Sequence, residues 1–589
     1  MKVSVGFNVG FSTLATRRGS AMLGVLVLVV AAMIVLAGTL SWTFTNVRLN
    51  HRSAQYSRCL GAAEAATEKA IVTLNTDYKN NGQAYVEKNL DKYRQAVPTK
   101  TENAVWAGFR FFDAKGYIDR MDVEYIKGTN LVPVSKNYKG LLGFPNTFRV
   151  SSSASELNTP LKVKGAVLQE VQVALIPIYQ FASFYNMDYE CSALPKMDIG
   201  GTVHVNGNVY LNPGNVLTYH DDLTCTGTIT KGPKPGSTVP PMPGSVVYMG
   251  AHDGKVSNLT LPIGTNNSLA AVRQVIEKPP AGELATSSMG QQRFYNKADM
   301  IITITDPLVI PLPPLLPYVA TVTSGLSDSF KTTVPSMQTT QFVNLAPSFT
   351  NQREKKTVKC VEIDIGKFMK WNATNTVLRP ILPLQDVRVI YISDERKFAS
   401  GTMSGVRLVN GQTLPASGLT IATPQPVYIL GHYNCPNTNH LGTLNTSATA
   451  PAAIVADAIT VLSGKWLDAD SGKGYGNRIP SPTTVNAAFI AGIVQTTSAT
   501  GYSGGIENFP RFLEDWDTPA CTFTYNGSMV VMYESKYATQ PWLNIGVYYD
   551  PPVRNWAFDN NFKYPDKLPP ATPTAYVLTR GEWNITKAN

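Results

Sequence analysis

The sequence predicts an α+β protein: a long N-terminal transmembrane helix, a small antiparallel sheet, then a mainly β region of parallel β-helix or stacked-coil type with an insertion. Three observations predict it. From Ser20 to Leu40 the chain runs 21 residues without a charge. Beyond residue 104, turns containing Gly, Asn or Pro separate short runs of alternating apolar residues. Charged residues are only 16% of the 589, below the roughly 25% of an average soluble domain, and Thr, Ser and Asn supply much of the polarity, which suits strands and turns. At about 100–200 residues per domain the chain holds three or so units.

The excess of 51 Lys plus Arg over 41 Asp plus Glu is local: residues 1–110 hold 13 against 6, and the remainder 38 against 35. A nucleic-acid binder needs a basic stripe on a folded face. Here the cations flank one hydrophobic segment, so the charge points to a membrane and excludes nucleic acid as the expected partner. At about 1.5 Å per residue, Ser20–Leu40 spans a hydrocarbon core of roughly 30 Å. Lys2, Arg17 and Arg18 precede it and Arg48, Arg52 and Arg58 follow it, so the positive-inside rule alone does not orient it.

Three readings fit this segment. It is a cleaved secretory signal with small residues near Val35-Leu36-Ala37, a plain anchor, or the first half of a longer helix. The third follows from what comes next. Between Thr45 and Leu74 there is no Pro and the only Gly is Gly61, while Val47, Ala54, Leu60, Ala63, Ala66, Ala70, Ile71 and Leu74 fit one helical face. The pattern predicts one helix over 20–82, ending near Asn80-Asn81-Gly82.

Arg17-Arg18-Gly19, then Ser20 opening the uncharged run, resembles the N-terminus of type IV pilins and their relatives. The resemblance implies a leader over 1–19, cleavage between Gly19 and Ser20, and methylation of the new first residue. Most pilins carry Glu at the fifth mature position, where this chain has Gly24; that departure is similar to the pseudopilin class at the tip of type II secretion pseudopili. Ala63-Glu64-Ala65-Ala66 resembles a segment of minor pilins of the PilX class. Other pilin-like subunits, met through the N-terminal helix, are the partners this implies beside the inner membrane.

Residues 83–190 read as a small β-rich module with strands at Gly108–Phe112, Tyr117–Tyr125, Thr147–Ser152 and Lys162–Pro177. Helix then sheet is the order of a pilin head. Residues 191–280 read as early coils, with short strands at Val203–Val205, Asn208–Leu211, Val216–Tyr219 and Thr226–Thr230. Strands this short bury a face only by stacking coil on coil; a flat sandwich is the competing arrangement. Residues 281–400, with the Pro-rich Asp306–Pro317 run and a strand at Thr357–Ile365, read as an insertion or separate lobe. Residues 401–589 read as late coils, at Leu419–Leu430, Ala452–Leu462, Val485–Val494 and Thr522–Tyr533, followed by a C-terminal tail.

The phrases Ile176–Ala182 and Phe184–Asp188, the His204–Tyr210 strand, Gly431-His432-Tyr433-Asn434 and Asn508–Trp516 resemble large uncharacterised envelope proteins of Verrucomicrobia and related bacteria, whose N-termini are pilin-like. That resemblance implies an envelope location and a shared fold, and no reaction.

Catalytic patterns fail on inspection. Gly501-Tyr502-Ser503-Gly504-Gly505 fits a nucleophile elbow, but the triad His must follow the Ser and the last His is His440. Ser463-Gly464-Lys465 lacks the spacing of a phosphate loop. No catalytic residue, cofactor or metal site is predicted. Weak metal candidates are Asp468 and Asp470, whose loop lacks the remaining EF-hand ligands, and Asp221 with Asp222 beside His204 and His220 on stacked coils; His432, Cys435 and His440 match no zinc spacing. Asp394-Glu395-Arg396 is the one compact set with both signs, and reads as an exposed turn. Among the six cysteines, Cys191 with Cys225 is the nearest pair for a bridge, with burial as free thiols equally open.

Two functions remain. The first is a pilin-like, membrane-inserted structural or adhesive envelope or filament component presenting a large β-rich head, anchored in a bacterial inner membrane with its bulk periplasmic or extracellular. The alternative is a membrane-tethered polysaccharide lyase or hydrolase with its chemistry in a β-helix groove.

Overall fold

The computed structural model describes residues 20–128, 132–133, 142–261, 263, 267–306, 318–323, 331–334, 338, 340–382, 386–517, 519–542 and 546–587. Helix α1 runs Ser20–Lys88, past the predicted stop at residue 82. Tertiary packing overrides the local Asn-Asn-Gly signal: Tyr78 and Val86 lie on either side of it and both are fully buried, so ending the helix there would draw Val86 out of the core.

The upper half of α1 carries Cys59, Ala63, Ala66, Ala70, Leu74 and Tyr78, spaced by three or four and all buried, which puts them on one face. They pack on an antiparallel sheet of β1 (Phe109–Phe112), β2 (Asp122–Ile126), β3 (Val132–Pro133), β4 (Leu142–Glu156) and β5 (Lys164–Pro177). β4 begins five residues before the predicted Thr147, so that Gly143–Asn146 is extended chain within it. Phe148, Val150 and Ala154 of β4 and Val167, Val171 and Val173 of β5 alternate toward α1, the period of a strand. Truncating Leu74 to Ala here would cost about 2–5 kcal/mol.

The other edge of β5 is covered by the C-terminal strand Thr574–Thr586, antiparallel, with Tyr576 opposite Leu175. The predicted C-terminal tail therefore contains a strand of this sheet, and the module predicted over 83–190 takes an edge strand from residues 574–586.

Between these ends the strands stack in parallel. Ser183–Tyr185, Val203–Val205 and Leu223–Cys225 form one ladder, with Ser183 opposite Val203 and Val203 opposite Leu223. Tyr189–Cys191, Val209–Leu211 and Ile229–Lys231 form a second, and Met197–Ile199, Val216–Tyr219 and Ser245–Tyr248 a third. The offset is 20 residues per turn of chain until a longer last turn sets Leu217 opposite Val246. Of predicted Thr226–Thr230, Ile229 and Thr230 are strand, and 226–228 form the turn that follows Leu223–Cys225. Side chains follow the repeat: Asp188 Oδ1 accepts from Asn208 N at 2.8 Å, Asn208 Oδ1 accepts from Thr228 N at 3.1 Å, and Asn206 Nδ2 donates to Asn186 Oδ1 at 2.9 Å. Each turn thus supplies acceptors for the backbone of the next, satisfying groups that three-residue strands leave unpaired.

The later strands continue the first ladder in an order the sequence does not follow. Met300–Ile304, Val389–Asp394, Leu419–Ala422, Ala452–Val455, Thr483–Ile493 and Thr522–Glu534 pair in parallel, and the last lies directly against Ser183–Tyr185, Met529 opposite Ser183. Lys356–Asp364, Thr402–Val409, Val427–Leu430 and Ile459–Leu462 form a companion ladder. Strands from residues 281–400 sit inside both, so that stretch is not a separate lobe; its Pro-rich 307–317 part lies outside the described residues. The long sheet is buried on both faces, by Ile302, Ile392, Ile454 and Phe489 on one and by Ile301, Tyr391, Val455 and Ile490 against Val272 and Phe294 on the other, which is why its strands read as near-continuous apolar runs.

Candidate functional site at the base of the helix

Residues 21–45 of α1 are exposed throughout. Met22, Leu26, Val29, Ile34 and Leu40 are all exposed, and among the described residues this is the one helix long and apolar enough to cross a membrane. Three threonine hydroxyls around and beyond Leu40 are satisfied within the helix: Thr39 Oγ1 donates to Leu36 O at 2.9 Å, Thr43 Oγ1 to Thr39 O at 2.7 Å and Thr45 Oγ1 to Ser41 O at 2.8 Å. Trp42 and Phe44 stand out from the helix, 70% and 72% exposed, at the level where an interfacial aromatic belt would lie.

Contact with the head begins at Gln55, buried despite its amide. Its Nε2 donates to Thr159 Oγ1 at 2.6 Å and Leu161 O at 2.8 Å. Arg58 grips Glu156 with two bonds, Nη2 to Oε2 at 2.9 Å and Nε to Oε1 at 3.2 Å. Closest of all is Gly165, where a Cβ would stand 2.5 Å from Leu60 N and 2.8 Å from Cys59 C, both backbone atoms. Below this neck, Arg48 and Arg52 face Lys162 and Lys587 across an open cleft of about 1030 Å³.

Of the predicted processing pair, Gly19 lies outside the described residues and Ser20 is the first residue of α1. The metal candidates do not converge. Asp468 Oδ1 accepts from Arg407 Nη1 at 2.6 Å and Trp466 Nε1 at 2.9 Å, whereas Asp470 pairs with Lys473 at 2.5 Å. Asp221 Oδ2 accepts from Gly201 N at 2.7 Å and Asp222 Oδ1 from Ala251 N at 2.8 Å, so both serve neighbouring turns of chain. His204 is buried in its ladder, bonded to Thr224 and Asn206, and burial pushes its imidazole down to about 4; His220 instead meets Asp198 at 3.2 Å. His432 Nδ1 accepts from Thr484 N at 3.1 Å, Cys435 Sγ donates to Asn437 O at 3.6 Å, and His440 lies against Asn437 and Asn445. Among the described residues no three His, Cys, Asp or Glu side chains gather as a metal site.

Asp394-Glu395-Arg396 is not an exposed turn. Asp394 is buried, held by Arg396 at 2.8 Å and by Ser404, because it ends a strand of the long sheet. Cys191 stands opposite Leu211 and Cys225 opposite Val205, in different ladders, and both are buried free thiols, not a bridge. Ser503, the would-be nucleophile, is buried and donates to Val494 O.

Sequence reasoning missed the neck and the cleft. Gln55 and Gly165 have no local signature, and Lys587 comes to the cleft that Arg48 lines only through the C-terminal strand. The 20-residue repeat was present in the sequence, in Asn186 and Asn206 and in Asp188, Asn208 and Thr228.

Fold and site together define an α+β chain with one exposed N-terminal apolar helix and a largely β body of several sheets. No family model and no curated protein matches it. Among solved structures it is similar to the competence-associated pilin ComZ from Thermus thermophilus, over 90% of this chain and 97% of that one, at 10% identity and a TM-score of 0.23, a value too low to carry an argument about fold or function.

Proposed function

We propose that the chain is a pilin-like, membrane-inserted structural or adhesive component of a bacterial envelope or filament, holding a large β-rich head outside the inner membrane. One observation carries this reading: a single unbroken helix is exposed and uncharged over 21–45 and has its second half in the core of the sheet that roots the head. Stem and head share one core, so a pull on the head passes into the membrane helix without a hinge. The Arg17-Arg18-Gly19/Ser20 boundary supports a processed leader, and Gly24 favours the pseudopilin side of the family. The minor-pilin and Verrucomicrobia-type assignments rest on the phrases quoted above. A parallel β-helix in the head is supported by the three ladders with their 20-residue offset.

We read the head as structural: Asp394 with Arg396, the set of both signs that the sequence offered, is closed on itself and largely buried. Alkaline extraction of membranes followed by N-terminal sequencing tests the proposal. A membrane-retained chain beginning at Ser20 is expected; one beginning at Gly38 would sink it in favour of secretion, and an intact leader would favour a plain anchor.

A further inference from the structure

Cations around the neck fall into two groups. Above it four have an acid: Arg58 with Glu156, Lys69 with Glu102, Arg149 with Glu170 and Arg580 with Glu68. Below it, Arg48, Arg52, Lys162 and Lys587 have no ion-pair partner among the described residues, yet all four line one cleft, which Lys164, stacked on the Phe112 ring, lines as well. Arg48 and Arg52, four apart on α1, share a helix face. Lys162 opens the approach to β5, and Lys587 follows the C-terminal strand that pairs with β5. Four like charges brought together from three parts of the chain repel one another, so a fold that gathers them without an acid leaves a strong field for an anion.

The position of the cleft identifies the anion. Ala21 to Val47 carries no charged side chain, about 40 Å of helix at 1.5 Å per residue, and Arg48 is the next residue. With Trp42 and Phe44 at the interface, Arg48 and Arg52 stand at headgroup depth, within reach of long side chains that extend along the helix.

We propose that this cleft is a docking site for the phosphate of an anionic phospholipid headgroup, which seats the base of the head on the bilayer. The proposal rests on the membrane-inserted reading above and adds a lipid preference to it. Arg48 and Arg52 supply planar donor forks suited to phosphate oxygens, and the two lysines supply point charges from the opposite wall. The lipid closes the cleft from below and sets the height and tilt of the head.

The test uses the full chain, reconstituted in bilayers of phosphatidylcholine and phosphatidylglycerol in equal amounts, then extracted gently so that tightly held lipid is counted by mass spectrometry. The wild type is expected to retain phosphatidylglycerol over phosphatidylcholine about fivefold, the preference that one basic side chain gives at an anionic surface, and to lose most of that preference in 0.5 M salt, where screening shortens to roughly 4 Å. The fourfold variant Arg48→Gln, Arg52→Gln, Lys162→Gln, Lys587→Gln is expected to retain the bulk ratio with an unchanged circular dichroism spectrum. Lys162→Gln with Lys587→Gln, both on the surface, repeats the test should the fourfold variant misfold. A control, Arg110→Gln with Lys115→Gln, should keep the wild-type ratio. A chain that resists alkaline extraction yet retains the bulk ratio, or variants that keep the wild-type preference, would overturn the proposal alone. A chain released by alkali would overturn the membrane reading together with it.

Discussion

Arg580 on the C-terminal strand and Glu68 on α1, 512 positions apart, close a two-pronged ion pair, Nη1 to Oε1 at 2.5 Å and Nη2 to Oε2 at 2.7 Å. Their side chains are 56% and 37% exposed, so the pair itself adds no more than about 1 kcal/mol. Its meaning is topological: the last strand of the chain is registered against the first helix, and the coils lie between them as a closed loop.

From that relationship, Glu68→Gln should shift the melting temperature by only a degree or two, whereas deletion of residues 574–589 should abolish cooperative melting of the helix-and-sheet module. Deletion strips β5 of its partner, removes buried Ala575 and Val577, and leaves a long open edge prone to pairing with other chains. Limited proteolysis around β4 and β5 reads the difference. Equal effects of the two changes would contradict it.

Gly165 and Gly61 should respond oppositely to alanine. At Gly165 the new Cβ meets α1 backbone at 2.5 Å, and backbone cannot rotate away, so destabilisation of about 1–3 kcal/mol is expected. At Gly61 a Cβ meets nothing within 4 Å, and the gain in helix propensity should stabilise by about 0.5–1 kcal/mol. Denaturant unfolding of the two variants measures both signs.

Glu514 should give a pH signature. It is buried, accepting from Ser463 N and Oγ at 2.7 Å each, and burial outweighs those bonds and raises its carboxyl to about 7. Between an unfolded value near 4.5 and that folded value the native state holds a proton the unfolded chain has released, so the contribution to stability falls as pH rises through this window. Glu514→Gln removes the titration. Its melting temperature relative to wild type should climb from pH 4.5 to 7 and then level, toward roughly 3 kcal/mol; a difference independent of pH would refute the assignment.

A chelator should leave the head's melting temperature unchanged. Asp468 is committed to Arg407 and Trp466, and Asp470 to Lys473, so a cation would have to displace three existing partners. A structural metal at a hundred times its dissociation constant contributes about 2.7 kcal/mol, which EDTA would remove as a clear drop in a thermal scan.

The sequence by itself determined the elements whose cause is local. The uncharged run and the Pro-free stretch after it fixed α1 through its first sixty residues, and alternating apolar positions fixed β1, β5 and the late strands close to their true bounds. Only the tertiary structure decided where α1 stops, since burial of Tyr78 and Val86 outweighs Asn80-Asn81-Gly82. It also decided that Asp394 is interior and that the Thr522–Glu534 strand neighbours Ser183–Tyr185. The cleft belongs wholly to this second kind. Arg48, Arg52, Lys162 and Lys587 have no spacing in common, and they meet because the C-terminal strand pairs with β5 and β5 lies against α1. Strand pairing across hundreds of residues is selected by which edge and which core remain open once the rest has packed, and a local pattern carries no record of that.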